Sequence, residues 1–447
     1  MSKREKITPT NLTRLPKRYI DWFSQPIYRF IHIESAAGIV LFVSTLVAIS
    51  LANSNLSESF TRFWHISVGV TVGDLVFERS LHKWINDVGM TLFFFLIALE
   101  LKRELVLGEL RNPRLAILSI AAALGGMLVP PLFYFLIQFG ESGQHGWGTV
   151  MATDTAFVIG CLALLGRSIP SSLRIFMLSM AVVDDIGAIF VVAIGYGDNV
   201  NWMSILYALL GFIIVRVMGF LGIRSIVLFS IVGGMIWIAI DMSGIHPTIT
   251  GVILGLLTPT NKWVSKEHLS IIMDTVVSSS IMEQWNGDKV EGETLRTAAA
   301  AARETLSPVE RLEMLLHPWV GFVVLPLFAL SNAGVSLTAA NLTSPITLAI
   351  FLGFVFGKPI GIALFSWIAV RLKIAILPEN LNWGMIIGGG MLSGIGFTMA
   401  LFIAELAYDP TQINAAKLGI FLASMVSAFL GIIFLRYFSV KEKRKGA

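Results

Sequence analysis

The sequence has few charged residues for its length, which excludes a typical soluble protein. Only 14% of its 447 residues are Asp, Glu, Lys or Arg, whereas soluble domains carry about 25%. Its single cysteine, Cys161, excludes an intrachain disulfide framework. No phosphate-binding loop of the GxxxxGK[ST] type occurs, so the usual signature of an ATP-driven protein is missing. A cleavable signal peptide is not expected, because the first apolar run follows a polar, basic segment and is long enough to span a bilayer.

Long apolar runs dominate instead, and they predict an all-α polytopic membrane protein with one membrane domain over residues 1–447. Each run can cross about 30 Å of hydrocarbon as a helix. We predict twelve spans: 34–53, 83–105, 115–138, 147–166, 171–196, 203–221, 224–241, 246–258, 318–335, 345–371, 383–406 and 412–437. Lys and Arg are absent from the connections after spans 3, 5, 7 and 9. The positive-inside rule therefore predicts that both termini are cytoplasmic.

Two connections are expected to have structure of their own. Residues 62–81 contain HISVGVTVGDLVFERS, whose alternation around a Gly-Asp pair predicts an extracytoplasmic β-hairpin. Its free edge could pair with a second copy to form a homodimer, or the hairpin could simply cap span 1. Residues 259–316 form the long hydrophilic connection, for which we expect solvated cytoplasmic helices.

Two spans carry breaks in their helical pattern. GGGMLSGIGFTM in span 11 places five glycines and a serine within nine positions, and MATDTAF interrupts span 4 with polar residues. Backbone that leaves a helix inside the bilayer must be buried in protein or line a cavity. Spans 3–5 and 10–12, residues 115–196 and 345–437, would then be inverted repeats, and paired breaks of this kind indicate a midplane transport site. Close helix packing through small residues explains GIG equally well, but it does not explain Asp154.

The adjacent Asp184 and Asp185 are the most unusual feature of the spans. Each carboxylate is disfavoured in hydrocarbon by about 2.5–3.5 kcal/mol, so an intramembrane pair indicates function. Neighbouring residues diverge by about 100° around a helix, so one Asp can face Lys358, which lies too deep to reach the interface, while the other faces a water-filled path. A carboxylate that titrates near cytoplasmic pH can bind a proton or a small hard cation such as Na⁺ or Li⁺. The alternative is a purely structural, hydrogen-bonded pair.

Two further functions remain open from the residues alone. A sodium-coupled symporter of an organic solute would need a larger pocket with cationic or aromatic groups near the midplane, where the only deep cation we identify is Lys358. An intramembrane aspartyl protease would need two carboxylates from different helices around one water, and Asp154 could approach the central pair in that way.

The other ionisable residues near the spans allow more than one role. Asp154 could neutralise the positive ends of broken half-helices, as Lys358 could the negative ends. Asp87 is expected at the outer interface or vestibule. Glu100 and Glu104 lie on one helix face as a solvated inner end or a proton-sensing cluster. His246 could be a polar end residue, although an unperturbed histidine pKa of about 6.5 permits a pH response.

At these residues the sequence closely resembles the NhaA-type bacterial sodium/proton antiporters. The matching motifs occur in order over nearly the whole chain: WINDVGMTLFF, ALELKREL, MATDTAF, VVDDIGAI, SGIHPTITGVILG, LHPWVGFVVLPLFALSNAGVSL, GKPIGIALF and LSGIGFTMALFIAEL. The resemblance implies twelve spans with crossed, broken helices 4 and 11, and electrogenic exchange of Na⁺ or Li⁺ for H⁺ by alternating access, activated at alkaline pH. It implies an inner-membrane homodimer joined by the outer hairpin, with no enzymatic activity, no cofactor and no nucleic-acid partner.

The resemblance also assigns roles to individual residues. It implies a cation and proton site at Asp184 and Asp185 with Thr153 assisting, Lys358 as the ion-pair partner of Asp184, and Asp154 as the charge-compensating residue. It implies pH sensing by Glu100, Arg103, Glu104, Glu313 and His246. One departure affects the pH response: residues 264–307 are longer than the usual connection and precede Glu313 and His317, and Met314 replaces a histidine of some members.

Overall fold

The structure is a computed structural model, and it is mostly helical where it is described. It describes residues 34–72, 75–108, 113–166, 169–196, 200–223, 225–262, 264–265, 267, 269–274, 296, 298–302, 305–335, 339–378 and 380–445. The basic N-terminal segment, the Gly73-Asp74 turn and residues 275–295 of the connection 259–316 therefore lie outside the described residues.

The first half of the chain contains nine α-helices, a 3₁₀ helix and a hairpin among the described residues. They are α1 (Glu34–Ala52), α2 (Ser57–Trp64), β1 (Ser67–Val72), β2 (Leu75–Ser80), α3 (81–107, with a π-helical turn at Ile85–Gly89), α4 (Pro113–Gln138), a 3₁₀ helix (Gln144–Val150), α5 (Thr155–Leu165), α6 (Ser171–Gly195), α7 (Trp202–Phe220), α8 (Ile226–Asp241) and α9 (Thr248–Leu257).

The second half continues in the same way. Its helices are α10 (Pro308–Asn332, with a π-helical turn at Val320–Val324), α11 (Ala339–Leu342), α12 (Pro345–Arg371, with a π-helical turn at Gly353–Gly357), α13 (Trp383–Ser393), α14 (Phe397–Ala407) and α15 (Ile413–Lys445).

Length and composition make many of these helices able to cross a bilayer. Within the described residues, eight helices pass this test alone, and up to ten pass if each bent pair counts as one span. The bent pair α13–α14 changes direction by 47°. The predicted spans 224–241 and 246–258 coincide with the shorter apolar helices α8 and α9. The structure thus shows a polytopic helical membrane protein with a small antiparallel sheet.

Two boundaries differ from the prediction. Residues 62–64, which we assigned to the hairpin segment, are helical and end α2. Helix α10 begins at Pro308, ten residues before the predicted span 318–335, because Ser307 and Glu310 form a reciprocal capping box that starts the helix. Its interior Pro318 does not end the helix.

The hairpin pairs in the register that a two-residue loop requires. Ser67 lies opposite Ser80, and Val72 lies opposite Leu75. The indole nitrogen of Trp84 in α3 donates to the carbonyl of Val68 at 2.7 Å, which attaches the hairpin to the helix that follows it.

The centre of the helical body is packed by aromatic and glycine contacts that position the broken helices. The ring of Phe402 in α14 lies 5.6 Å from Phe94 in α3 and 6.4 Å from Phe328 in α10. Helices α4 and α12 approach backbone to backbone at Gly125 and Gly361. A Cβ placed on either glycine would lie 2.1 Å from the carbonyl oxygen of the other, so only glycine fits at both positions.

Candidate functional site

The two breaks in the helices meet in the interior. Residues 151–154 separate the 3₁₀ helix from α5, and residues 394–396 separate α13 from α14. The backbone N–H of Asp154 donates to the carbonyl of Ile395 at 2.7 Å, and the hydroxyl of Thr153 donates to the carbonyl of Ser393 at 3.0 Å. Each break therefore supplies hydrogen-bond partners for backbone groups of the other, which buried backbone requires.

Asp154 joins the starts of the two half-helices that leave this crossing. Its Oδ1 accepts from the backbone N–H of Phe157 in α5 at 3.2 Å. Its Oδ2 accepts from the backbone N–H and the hydroxyl of Thr398 in α14, at 2.9 and 2.5 Å. A carboxylate at two helix N-termini satisfies amides that have no partner within their own helices and stabilises the positive end of each helix dipole.

Lys358 is completely buried, yet its ammonium group has a full set of partners. It donates to Asp184 Oδ2 at 2.8 Å, to Thr153 Oγ1 at 2.9 Å and to the carbonyl of Met151. The three N–H bonds of an ammonium are therefore all used. The lysine lies directly after the π-helical turn of α12 and links that helix to the break before α5.

The two adjacent aspartates of α6 point to different partners. Asp184 is the one that contacts Lys358, and its second oxygen, Oδ1, is buried without a hydrogen-bond partner. Asp185 Oδ2 accepts from the hydroxyl of Thr155 at 3.3 Å. Both aspartates are almost fully buried, at 2% and 4% exposure. Asp184 thus has one oxygen paired with a cation and one buried oxygen without a hydrogen-bond donor. The Oδ2 of Asp185 contacts a neutral hydroxyl instead of a cation.

The atoms of this site that could coordinate a cation are carboxylate and hydroxyl oxygens. Among the described residues, no group of three or more His, Cys, Asp or Glu side chains is arranged to hold a metal ion. Carboxylate and hydroxyl oxygens suit a weakly held, hard monovalent cation better than a transition metal.

Four of the predicted pH-sensing residues gather where the C-terminal part of α3 meets the N-terminal part of α10. Arg103 forms ion pairs with Glu313 and, at 3.4 Å, with Glu104. Glu313 is 8% exposed, and its Oε2 is buried without a hydrogen-bond partner. Glu100, one turn before Glu104, is close enough to Asp185 for the two carboxylates to interact electrostatically. Of these residues, Glu100 is thus the one that interacts by charge with the central site.

Asp87 and His246 lie apart from this cluster, beside the hairpin. Asp87 pairs with Arg79 at the end of β2, and Arg79 also pairs with Asp241 at the end of α8. His246 Nε2 is 3.9 Å from Asp87 Oδ1. His246 lies in the connection between α8 and α9, where burial and the cations Lys83 and Arg79 lower the pKa of its imidazole to about 4. The structure thus separates His246 from the other predicted pH-sensing residues.

Sequence reasoning missed a second buried ion pair, which joins Glu405 near the end of predicted span 383–406 to Lys417 near the start of predicted span 412–437. Lys417 in α15 is 7% exposed, and its Nζ lies 2.5 Å from Glu405 Oε1 in α14. Glu405 also lies 3.7 Å from His82 in α3. Glu405 and Lys417 both fall inside predicted apolar spans. A charged residue inside an apolar span was therefore a signal available in the sequence. Arg79 and Asp241 gave no comparable signal, because each lies at the end of its element.

Comparison with known proteins identifies the family of the chain. The profile of the family described as Na⁺/H⁺ antiporter 1 matches residues 28–435. The Na(+)/H(+) antiporter NhaA 2 of Vibrio vulnificus is 80% identical over 445 residues, covering 100% of both chains. The NhaA 1 of Acidiphilium cryptum is 52% identical over 429 residues, or 96% of each chain. The NhaA of Rhizobium meliloti is 52% identical over 434 residues, or 97% of this chain and 99% of its own. The chain therefore belongs to the Na⁺/H⁺ antiporter 1 family, as its resemblance to the NhaA antiporters predicted.

Proposed function

We propose that this protein is a secondary active Na⁺/H⁺ antiporter of the bacterial inner membrane, which exports Na⁺ or Li⁺ in exchange for H⁺ and so serves sodium and pH homeostasis. Its family consists of transporters rather than enzymes, and they need no cofactor because the ions are the transported substrates. The exchange is electrogenic, proceeds by alternating access and is activated at alkaline pH.

The observation that carries the proposal is the arrangement around Asp184 and Asp185. Two carboxylates sit in a buried site, but only Asp184 is neutralised by Lys358. The remaining negative charge favours one added cation, either H⁺ or Na⁺. Because both ions compete for the same oxygens, loading of one requires release of the other. That competition gives antiport if only the loaded site changes its exposure.

The crossing of the two breaks provides the element that can change exposure. Four half-helices meet where Asp154 and Thr153 hydrogen bond to residues of the opposite break. Asp154 compensates the two positive helix ends there, and Lys358 donates to the carbonyl of Met151 at the negative end of the 3₁₀ helix. In transporters built from repeats, one repeat or bundle rocks against the other around such a fixed site.

The contact between α4 and α12 supports the inverted-repeat arrangement of 115–196 and 345–437. These helices are the first helices of the two proposed repeats, and they approach each other at Gly125 and Gly361. A Cβ atom added to either glycine would lie 2.1 Å from the carbonyl oxygen of the other. Such mutual contact is what a pseudo-two-fold axis in the membrane plane produces. Twelve spans, with both termini cytoplasmic and the hairpin outside, complete the proposed topology.

Assembly and pH response are further parts of the proposal. The hairpin edge is a natural surface for pairing with a second copy, which makes a homodimer. Asp87 lines the outer vestibule beside this hairpin. Alkaline activation arises at Glu100, Arg103, Glu104 and Glu313 at the inner ends of α3 and α10. Arg103 pairs with Glu104 and Glu313, and Glu100 interacts by charge with Asp185. His246 contributes through its contacts rather than by proton uptake.

Everted membrane vesicles test the function directly. Vesicles from a host without its own exchangers are given a respiration-driven pH gradient, and Na⁺, Li⁺, K⁺ or choline is then added at several pH values. We expect Na⁺ and Li⁺ to dissipate the gradient in wild type but not in Asp185→Asn. Asp409→Asn makes the same chemical change at an exposed position and should behave as wild type.

The same vesicles test electrogenicity and the rival activity. Clamping the membrane potential with valinomycin and K⁺ should change the rate of exchange if net charge moves. Absence of any cation response in wild type, with protein shown to be in the membrane, would contradict antiport and favour solute symport.

A further inference from the structure

We propose that Thr155 supplies a hydroxyl oxygen that coordinates the transported cation at Asp185, whereas the resemblance to the NhaA antiporters implied that Thr153 assists at this site. The proposal rests on the antiport function above and names one more ligand of the same site. It follows from how the two threonines at the break before α5 use their hydroxyl groups.

The hydroxyl of Thr153 is already committed to the protein. It donates to the carbonyl of Ser393 at 3.0 Å and accepts from the ammonium of Lys358 at 2.9 Å. A hydroxyl has one donor and two acceptor positions, so only one lone pair is left. A cation approaching that oxygen would also have to lie next to the positive charge of Lys358, which opposes binding.

The hydroxyl of Thr155 is arranged differently. Its hydrogen bond to Asp185 Oδ2, at 3.3 Å, uses the proton and leaves both acceptor positions for other groups. The side chain of Thr155 is partly exposed, whereas Thr153 is 1% exposed. Thr155 is therefore the better placed of the two to meet an ion that arrives hydrated and exchanges water oxygens for protein oxygens.

The spacing of the two oxygens fits a cation of this kind. Hard cations of the size of Ca²⁺, which Na⁺ matches closely, lie about 2.4 Å from oxygen ligands. A cation at that distance from both Thr155 Oγ1 and Asp185 Oδ2, which are 3.3 Å apart, would subtend an angle of about 90° between them, as in octahedral coordination. The hydroxyl proton would rotate away when the ion binds. The buried Asp184 Oδ1, which has no partner, is a further oxygen on the adjacent residue.

Substitution of Thr155 separates cation binding from the rest of transport. Thr155→Val keeps the shape of the side chain but removes the oxygen, and Thr155→Ser keeps the oxygen. We expect Thr155→Val to raise the apparent KM for Na⁺ in everted vesicles about tenfold with the maximal rate largely kept, and Thr155→Ser to restore a KM near wild type. Thr45→Val is the control, because the Thr45 hydroxyl donates only to Leu41 in its own helix, at 2.8 Å.

The result is read at one fixed pH and repeated as ²²Na⁺ binding to the purified protein. A wild-type KM in Thr155→Val, or an equal rise in Thr155→Val and Thr155→Ser, would overturn the ligand role while leaving the antiporter assignment intact. Failure of wild type itself to respond to Na⁺ would overturn the function instead. If Thr155→Val does not accumulate in the membrane, Thr155→Ala against Thr155→Ser makes the same comparison.

Discussion

The ammonium of Lys358 lies 2.8 Å from the carboxylate of Asp184, and neither side chain is more than 2% exposed. Removing two charges from water is unfavourable, and their attraction compensates only when the remaining hydrogen-bonding positions are also used. Lys358 meets that condition, since Thr153 and Met151 take its other protons. Asp184 does not, because its Oδ1 lacks a partner. The pair is thus stable on the lysine side and incomplete on the side where a cation would bind.

This asymmetry predicts how the protein responds to loss of the lysine. Lys358→Met leaves Asp184 charged and buried without its partner, so we expect a loss of about 3–5 kcal/mol in the free energy of unfolding. The measurement is thermal or denaturant unfolding of purified protein in detergent. Vesicle exchange, measured in parallel, should fall strongly.

A second variant shows whether the unpaired charge is the cause. Asp184→Asn combined with Lys358→Met removes both charges, and we expect it to recover most of the stability lost in Lys358→Met. A double variant as unstable as the single one would mean that the lysine stabilises the protein through its packing or its contacts with the break before α5, and not through its charge.

Sequence reasoning reached the central site because its signals are local. Carboxylates and a lysine inside apolar runs, and glycines or Thr-Asp-Thr within otherwise helical spans, mark Asp154, Asp184, Asp185 and Lys358 without any knowledge of neighbours. It also predicted that one of the two aspartates faces Lys358, which the structure shows for Asp184. It could not give the partners of Asp154 in the opposite break. The contact between Asp154 and Thr398 joins residues 244 positions apart, and no periodicity encodes that distance.

The same limit explains why Thr153 and Thr155 could not be told apart from the sequence. Both have a hydroxyl beside Asp154, and only the folded structure shows that one faces Lys358 and the other faces Asp185. The polytopic helical class was accessible for a different reason, because apolar length is a property of single segments. The early start of α10 also had a local signal, the capping-box spacing of Ser307 and Glu310 with a proline between them, which the span prediction did not use.

The environment of His246 predicts that its titration does not set the alkaline pH profile. Burial lowers the pKa of its imidazole to about 4. The imidazole is therefore neutral at about pH 6.5, and its charge does not change at higher pH. We expect His246→Gln, which keeps a polar side chain of similar size, to leave the pH of half-maximal exchange in vesicles unchanged. A clear shift of that pH, with the protein amount matched to wild type, would show that His246 takes up a proton in the working range.

The close backbone contact between α4 and α12 at Gly125 and Gly361 predicts that a larger residue there destabilises the protein. A Cβ on Gly361 would lie 2.1 Å from the carbonyl oxygen of Gly125 and 2.9 Å from Val129, so Gly361→Ala must separate the two helices. Overpacking of this kind typically reduces stability by about 1–3 kcal/mol, or more where backbone has to move. Gly234→Ala in α8 is the matched control, since a Cβ there meets nothing within 4 Å, and the higher helix propensity of alanine favours it. The measurements are the free energy of unfolding of each variant in detergent and its exchange rate in vesicles. Equal stability of the two variants would show that α4 and α12 can separate without loss of stability, so that their contact does not hold the two proposed repeats together.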